Sequence, residues 1–271
     1  MPHLQRVAWK DRKGRADGFP FGIPAIRTLK DISVGPTVTL FVGENGSGKS
    51  TLLEAIAAAA GLPVVGAADT GADESLAAQR DLAQSLRLTW KYRTRRGFFL
   101  RAEDFFGFQK RLQREQRELK DRLAEIEVEY ANAPDLARGL AAGPVAMSLG
   151  AIEGTYGKNP DGRSHGEAFL NLFKARLVPK GLFLLDEPEA ALSPQSQLAL
   201  LAMIFDTLGR EGQFIIATHS PILLAFPGAT IYSFDNAPIR EVPYDELEHV
   251  KLTRDFLENP QRFLRALRDP G

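Results

Sequence analysis

Residues 43 to 51 read GENGSGKST, with three glycines and one lysine placed between the apolar run TVTLFV and the segment TLLEAIAAAAG. Glycine lets a backbone curl until successive N–H groups point at one spot, and a helix that follows adds the positive end of its dipole. Gly43, Glu44, Asn45, Gly46, Ser47 and Gly48 therefore form a cradle for phosphate. Lys49 is placed to reach the outer phosphates and the Ser50 hydroxyl to ligate Mg²⁺, and Thr51 completes the set of candidate nucleotide-binding residues. Lys49 is expected to face the phosphates rather than to pack in the core.

The spacing G-x-x-x-x-G-K-S between a strand and a helix is the P-loop, or Walker A, pattern. A second set of chemical groups lies in GLFLLDEPEAALSP, residues 181 to 194. A buried strand that stops at Asp186 delivers this carboxylate to the C-terminal edge of a sheet, where the phosphate loop also sits. Asp186 can then hold Mg²⁺ through its waters, while Glu187 addresses an attacking water as general base. Strand EGQFIIA repeats the design and ends in Thr218 and His219, 33 residues after Asp186. A histidine there can hydrogen-bond a terminal phosphate. In RSHGEAFLNLFKARL, residues 163 to 177, Ser164 and Glu167 make a capping box, and Ser164 with Gly166 at the same helix start also makes a second anion site.

The elements that must carry these groups are legible as alternating strands and helices. TVTLFV reads as a buried strand and 51 to 60 as a helix of strong formers closed by Gly61. Residues 4 to 42 alternate as short strands do, and 62 to 85 suggest a loop and a surface helix. The stretch LRLTWKYRTRRGFFLRAEDFF supports one or two strands. Within it, Arg87, Lys91, Arg93, Arg95, Arg96 and Arg101 form a dense basic patch without an acid. From Gln109 to Tyr130 a seam of Leu112, Leu119, Leu123, Ile126 and Tyr130 marks a helix of roughly 30 Å, either a projecting arm or a helix lying on the core. Residues 131 to 162 read as a connecting segment with one short apolar helix.

Chain-wide properties narrow the function classes. The 271 residues carry 34 basic and 34 acidic side chains, so no global charge announces a polyanionic partner. The absence of cysteine removes thiol catalysis, thiolate metal sites and disulfides. His3, His165, His219 and His249 lack metal-ligand spacing. The N-terminus has charge without an apolar stretch behind it, and no uncharged run approaches the ~20 residues that span a bilayer, so a soluble cytoplasmic protein is expected.

Gly43 to Ser50, Ser164 to Glu167, LFLLDEP, EAALSP and the histidine of ATHSP occur in the order found in ABC-class ATPases, and this resemblance covers most of the chain. The whole resembles the soluble, transporter-free branch of AAA-type ATPases, with relatives among chromosome-condensation, break-repair and OLD-type nuclease ATPases. The resemblance implies an α/β P-loop fold: one domain over 1–271, with a central mixed sheet, flanking helices and a helical insertion over 102–162. It implies a Walker A at 43 to 51, a Walker B ending at Asp186, catalytic Glu187, a D-loop near Ala191 to Ser193 and a switch histidine at His219. ATP and Mg²⁺ are the implied ligands, and an ATP-bound head-to-tail homodimer the implied assembly. The family's signature segment, Leu-Ser-Gly-Gly-Gln, corresponds to RSHGE. Ser164 and Gly166 match, whereas Arg163, His165 and Glu167 depart, which counts against a transporter. Gln109 is a candidate for the family's glutamine loop. Three functions follow: an ATPase whose dimer opens and closes on an unnamed client, an ATP-gated clamp on nucleic acid that uses the basic patch and helical arm, and the energy subunit of a transporter.

Overall fold

The computed structural model describes residues 3–10, 18–35, 37–65, 77–156 and 165–268. The chain opens with β1 (Leu4–Trp9), a one-turn helix α1 (Pro24–Arg27), β2 (Asp31–Ser33) and β3 (Val38–Val42), then passes through the phosphate loop into α2 (Lys49–Ala60). Next come β4 (Val64–Val65), α3 (Ala77–Ser85), β5 (Leu86–Trp90) and β6 (Gly97–Arg101), followed by the long helices α4 (Ala102–Glu129) and α5 (Asp135–Tyr156). The second half runs α6 (His165–Arg176), β7 (Leu182–Asp186), α7 (Pro194–Gly209), β8 (Gln213–Ala217), α8 (Pro221–Leu224), β9 (Thr230–Ser233), β10 (Arg240–Glu241), α9 (Glu248–Glu258) and α10 (Pro260–Arg268).

Seven strands form the central sheet in the order β10-β9-β3-β8-β7-β6-β4, parallel except for β10, and β2-β1-β5 form a separate antiparallel sheet. The central strands are apolar at consecutive positions because both faces of the sheet are covered. Phe41, Leu182, Leu184, Ile215 and Ala217 face the core shared with α2 and the small sheet. Their alternates Leu40, Val42, Phe183, Leu185, Phe214 and Ile216 face the core shared with α6 and α7. The α/β fold with a central mixed sheet is the one that the resemblance implied.

Parallel pairing aligns the strand ends. Arg101 is in register with Asp186, Asp186 with Ala217, and Phe41 with Ala217. The residues that follow these strands consequently gather along one edge of the sheet.

One local expectation is met with an unforeseen layout, and two change. The basic stretch makes two strands, but β5 joins the small sheet and β6 the central one, so the connection 91–96 bridges two layers. Helix α3 is half-buried rather than superficial, with Leu82 and Ala83 in the core, while residues 66–76 lie outside the described ones. The segment after Tyr130 is not a connector with one short helix: α5 runs for 22 residues, with Pro144 inside it. Its glycines and proline argue against a helix when read singly. What sustains it is a partner: Ala137, Ala141, Val145, Leu149, Ile152 and Tyr156 share its less exposed face, α5 packs along α4, and Lys120 pairs with Glu153 at 3.2 Å. Both readings of α4 are met in different parts of it. Ala102 and Phe105 are buried at its base, whereas its later seam, with Leu119, Leu123 and Tyr130 half-buried, lies in a hairpin with α5.

Candidate nucleotide site

The loop leaves β3 at Val42 and enters α2 at Lys49, the expected strand, turn and helix. Gly43, Gly46 and Gly48 have φ of 150°, 81° and 104°, conformations that side chains rarely adopt. At Gly48 there is no space either, since a Cβ would lie 2.9 Å from Ile23 Cγ2 in the turn before α1. The loop is also gripped from the neighbouring strand: Asp235, just past β9, accepts the Glu44 N–H at 2.6 Å on Oδ1 and the Ser233 hydroxyl at 3.1 Å on Oδ2. No motif in the sequence singles out Asp235. Its signal was present, for IYSFD is an apolar strand ending in an acid, like FLLD.

Lys49 departs from expectation. It is 3% exposed, and its ammonium donates to the carbonyls of Gly43 at 2.5 Å and Glu44 at 2.9 Å. Burial lowers its pKa, opposed by the charges of Glu187, Asp186, Asp235 and Glu189. The side chain is thus folded back under its own loop, with the positive charge held at the centre of the cradle.

Ser50 Oγ donates to Asp186 Oδ1 at 3.0 Å, joining the start of α2 to the end of β7 across 136 residues. Burial pushes the Asp186 carboxyl up to about 6; the Ser50 hydrogen bond pulls it down and the Glu187 charge up. A hydroxyl and a carboxylate, both oxygen donors and already touching, fit a Mg²⁺ that keeps several waters. Among the described residues there is no cluster of three or more His, Cys, Asp or Glu that could hold a metal ion.

Glu187 lies beyond β7 in the left-handed region, φ 48°, with its N–H donating to the Ala217 carbonyl at 2.9 Å. A non-glycine residue there costs on the order of 1–3 kcal/mol, and it turns the carboxylate out of the strand line into an open cleft of about 610 Å³ lined by Glu44, Asn45, Glu187, Glu189 and His219. His219 Nε2 stands 3.7 Å from Glu187 Oε1. Burial first, and Lys49 second, lower the His219 pKa, so the ring is neutral near pH 7. Its backbone N–H donates to Glu189 Oε1 at 2.6 Å, and the Thr218 hydroxyl also bonds Glu189. Glu189 went unnoticed because an acid in a turn after a strand is commonplace; only the fold shows it clamping the histidine.

Arg101 was placed with the exposed basic patch, and the structure removes it. At the end of β6 it pairs with Glu54 of α2, and with Ser50, Asp186 and Glu187 it lines a second cavity of about 360 Å³. The strand-end position beside Asp186 is therefore an arginine, while Gln109, the glutamine-loop candidate, is buried two turns into α4.

Gly43 to Thr51, Asp186, Glu187 and His219 thus come to one sheet edge. Gly166 does not join them within the chain: a Cβ there would lie 2.9 Å from Ser196 Oγ, so α6 starts tight against the beginning of α7. Ser164, and with it the capping box, lies outside the described residues.

The Asp186 shift has a sign that can be checked. Its pKa of about 6 in the folded chain exceeds the ordinary aspartate value of 3.8, so its contribution to stability is full below pH ~4 and lost as pH rises through ~6. In EDTA, the wild-type stability measured by denaturant melts should fall by about 2 kcal/mol more than that of Asp186→Asn between pH 4.5 and 7.5. Parallel pH profiles would remove the assigned carboxyl.

Two family models match the sequence. One, described as "AAA domain", matches residues 22–64, the turn before the loop through α2. The other, "AAA domain, putative AbiEii toxin, Type IV TA system", matches residues 168–225, from α6 through the histidine strand. No curated protein matches. Among solved structures, an ATP-binding cassette of an ABC transporter in its ADP conformation is 18% identical, covering 96% of this chain and 97% of that one with a TM-score of 0.48. A nucleotide-free ATP-binding cassette is 19% identical over 96% of each chain, TM-score 0.47. An Smc head domain with an extended coiled coil, bound to the C-terminal domain of ScpA from Pyrococcus furiosus, is 12% identical over 99% and 100%, TM-score 0.43.

Proposed function

We infer that this P-loop ATPase of the ABC class binds ATP with Mg²⁺ on residues 43–51 and hydrolyses it to ADP and phosphate within an ATP-dependent head-to-tail homodimer. One observation carries the reading: the loop with Lys49 and Ser50, the Asp186–Glu187 pair and His219, far apart in sequence, converge on one edge of the sheet. In this reading the loop N–H groups and the Lys49 ammonium bind the phosphates, and Ser50 with Asp186 would hold the cation. Bound Mg²⁺ would supply charge neutralisation of the phosphate oxygens. Glu187 takes the proton of the attacking water, and neutral His219 donates to the terminal phosphate. The chain is proposed as a single domain over 1–271 with a helical insertion over 102–162, acting in the cytoplasm. Among the described residues no helix is long and apolar enough to cross a membrane.

The dimer rests on what one chain leaves open. Arg101, the arginine beside Asp186, is engaged with Glu54, and the start of α6 packs on α7. Ser164 and Gly166 are proposed to cover the terminal phosphate of the opposite subunit. Lys49→Ala and Ser164→Arg should each be inactive alone. Mixed, they form a heterodimer in which the intact loop of one faces the intact Ser164 of the other, and ATPase activity should return to a fraction of wild type that rises with protein concentration. Full activity of Ser164→Arg alone would refute the trans assignment. Silence of the mixture despite an ATP-dependent heterodimer seen by size would mean that both sites must fire together.

A further inference from the structure

A basic surface lies on the side of the sheet away from the nucleotide site. The connection 91–96, KYRTRR, enters β6 at its N-terminal end, whereas the phosphate loop follows the C-terminal end of β3 in the same parallel sheet. A strand's length, about 17 Å, separates the two edges, so these cations cannot serve the bound nucleotide.

The connection is anchored rather than loose. Lys91 N–H donates to the His3 carbonyl at 2.8 Å, Thr94 Oγ1 donates to the Lys180 carbonyl at 3.0 Å, and the Arg96 N–H donates to Thr94 Oγ1 at 3.1 Å. Leu182 N–H closes the far end on the Arg96 carbonyl at 2.9 Å. From this base Arg93, Arg95 and Arg96 extend into solvent, Arg87 is exposed four residues earlier on β5, and among the described residues none of the four has a carboxylate within ion-pair distance. The acids on the same edge are occupied, Glu211 by Lys180 and Asp206 by Arg210. Between them stands Tyr92, 60% exposed, with the Lys91 ammonium 5.8 Å from its ring centre.

We propose that residues 87–96 are a docking surface for single-stranded nucleic acid. Arginine presents a planar fork that matches phosphate oxygens bidentately. Arg93 and Arg95, two apart in non-helical chain, can meet successive phosphates along one strand, and an exposed tyrosine offers a face on which a base stacks. A lipid surface fits less well, because Tyr92 is the only large apolar side chain exposed on this segment. The surface is independent of the nucleotide site, so binding needs no ATP.

The test is fluorescence anisotropy of a labelled single-stranded oligonucleotide of about 20 nucleotides, titrated with full-length protein across a salt series starting near ~50 mM. About four phosphate contacts give a slope of log K against log salt near −3. Arg93→Glu, Arg95→Glu and Arg96→Glu combined should weaken binding at least ~10-fold at low salt, and the corresponding triple Gln variant should weaken it less while melting like wild type. Lys49→Ala should bind the oligonucleotide as wild type does, and the triple variants should bind nucleotide as wild type does, which separates this surface from the ATP site. The proposal is overturned by absent or salt-insensitive binding, by binding unaffected in both triple variants, or by tighter binding to duplex of the same length. It is equally overturned if phosphatidylserine vesicles or polyglutamate displace the oligonucleotide as well as unlabelled strand does.

Discussion

Glu187→Gln is expected to lower ATP turnover by ~10²- to 10⁴-fold, the range a positioned general base contributes, while Mg·ATP stays bound. Glutamine has the same shape and adopts the same strained backbone, so the turn held by the Ala217 carbonyl persists. Lys49, Ser50 and Asp186, to which nucleotide and cation binding are assigned in the proposed function, do not depend on the Glu187 carboxylate for any hydrogen bond. What disappears is the carboxylate that stands 3.7 Å from His219 in the cleft. Its neighbour Glu189 is a poor substitute, since its Oε1 already accepts the His219 N–H and the Thr218 hydroxyl also bonds it. Phosphate release and the size of the ATP-bound species should be measured together: a trapped dimer with almost no turnover is expected. Turnover within threefold of wild type would move the base elsewhere, and an ATP-bound monomer at micromolar concentration would remove the stable sandwich.

Lys49→Ala is expected to abolish measurable ATP binding. Each hydrogen bond from a charged donor to phosphate is worth about 1.5–3 kcal/mol, and loss of two raises Kd by roughly 10²- to 10⁴-fold. The effect on folding is a separate matter, because the ammonium is buried on two loop carbonyls rather than exposed. Truncation deletes those two bonds, yet it also removes the desolvation cost that lowers the lysine pKa. These terms oppose each other, so the melting temperature should shift by only a few degrees in the absence of nucleotide. Titration calorimetry with ATP and a thermal melt on the same sample separate the two effects. Binding at wild-type affinity would dispose of the loop assignment; loss of binding with a collapsed melt would show instead that Lys49 mainly holds the loop together.

What the amino-acid sequence determined by itself is whatever depends on contiguous backbone. Three glycines between an apolar run and a helix-forming run dictate the curled loop, since the φ values required at Gly43, Gly46 and Gly48 are local properties of those residues. Apolar strands that end in Asp186 or at Thr218 are equally local, and parallel pairing then had one edge on which to collect them. Tertiary structure decided what crosses between elements. The register of β6 against β7 takes Arg101 out of the basic patch and sets it beside Asp186 and Glu54, although in sequence it looks like its neighbours. Asp235 meets the loop across 191 residues and Glu189 meets His219 across 30, contacts that no periodicity encodes. Helix α5 stands where its glycines and proline argued for a connector, because packing along α4 outweighs intrinsic propensity. Local dihedral preference is set residue by residue, whereas a long-range contact exists only once packing has chosen which faces meet, and that choice belongs to the whole chain.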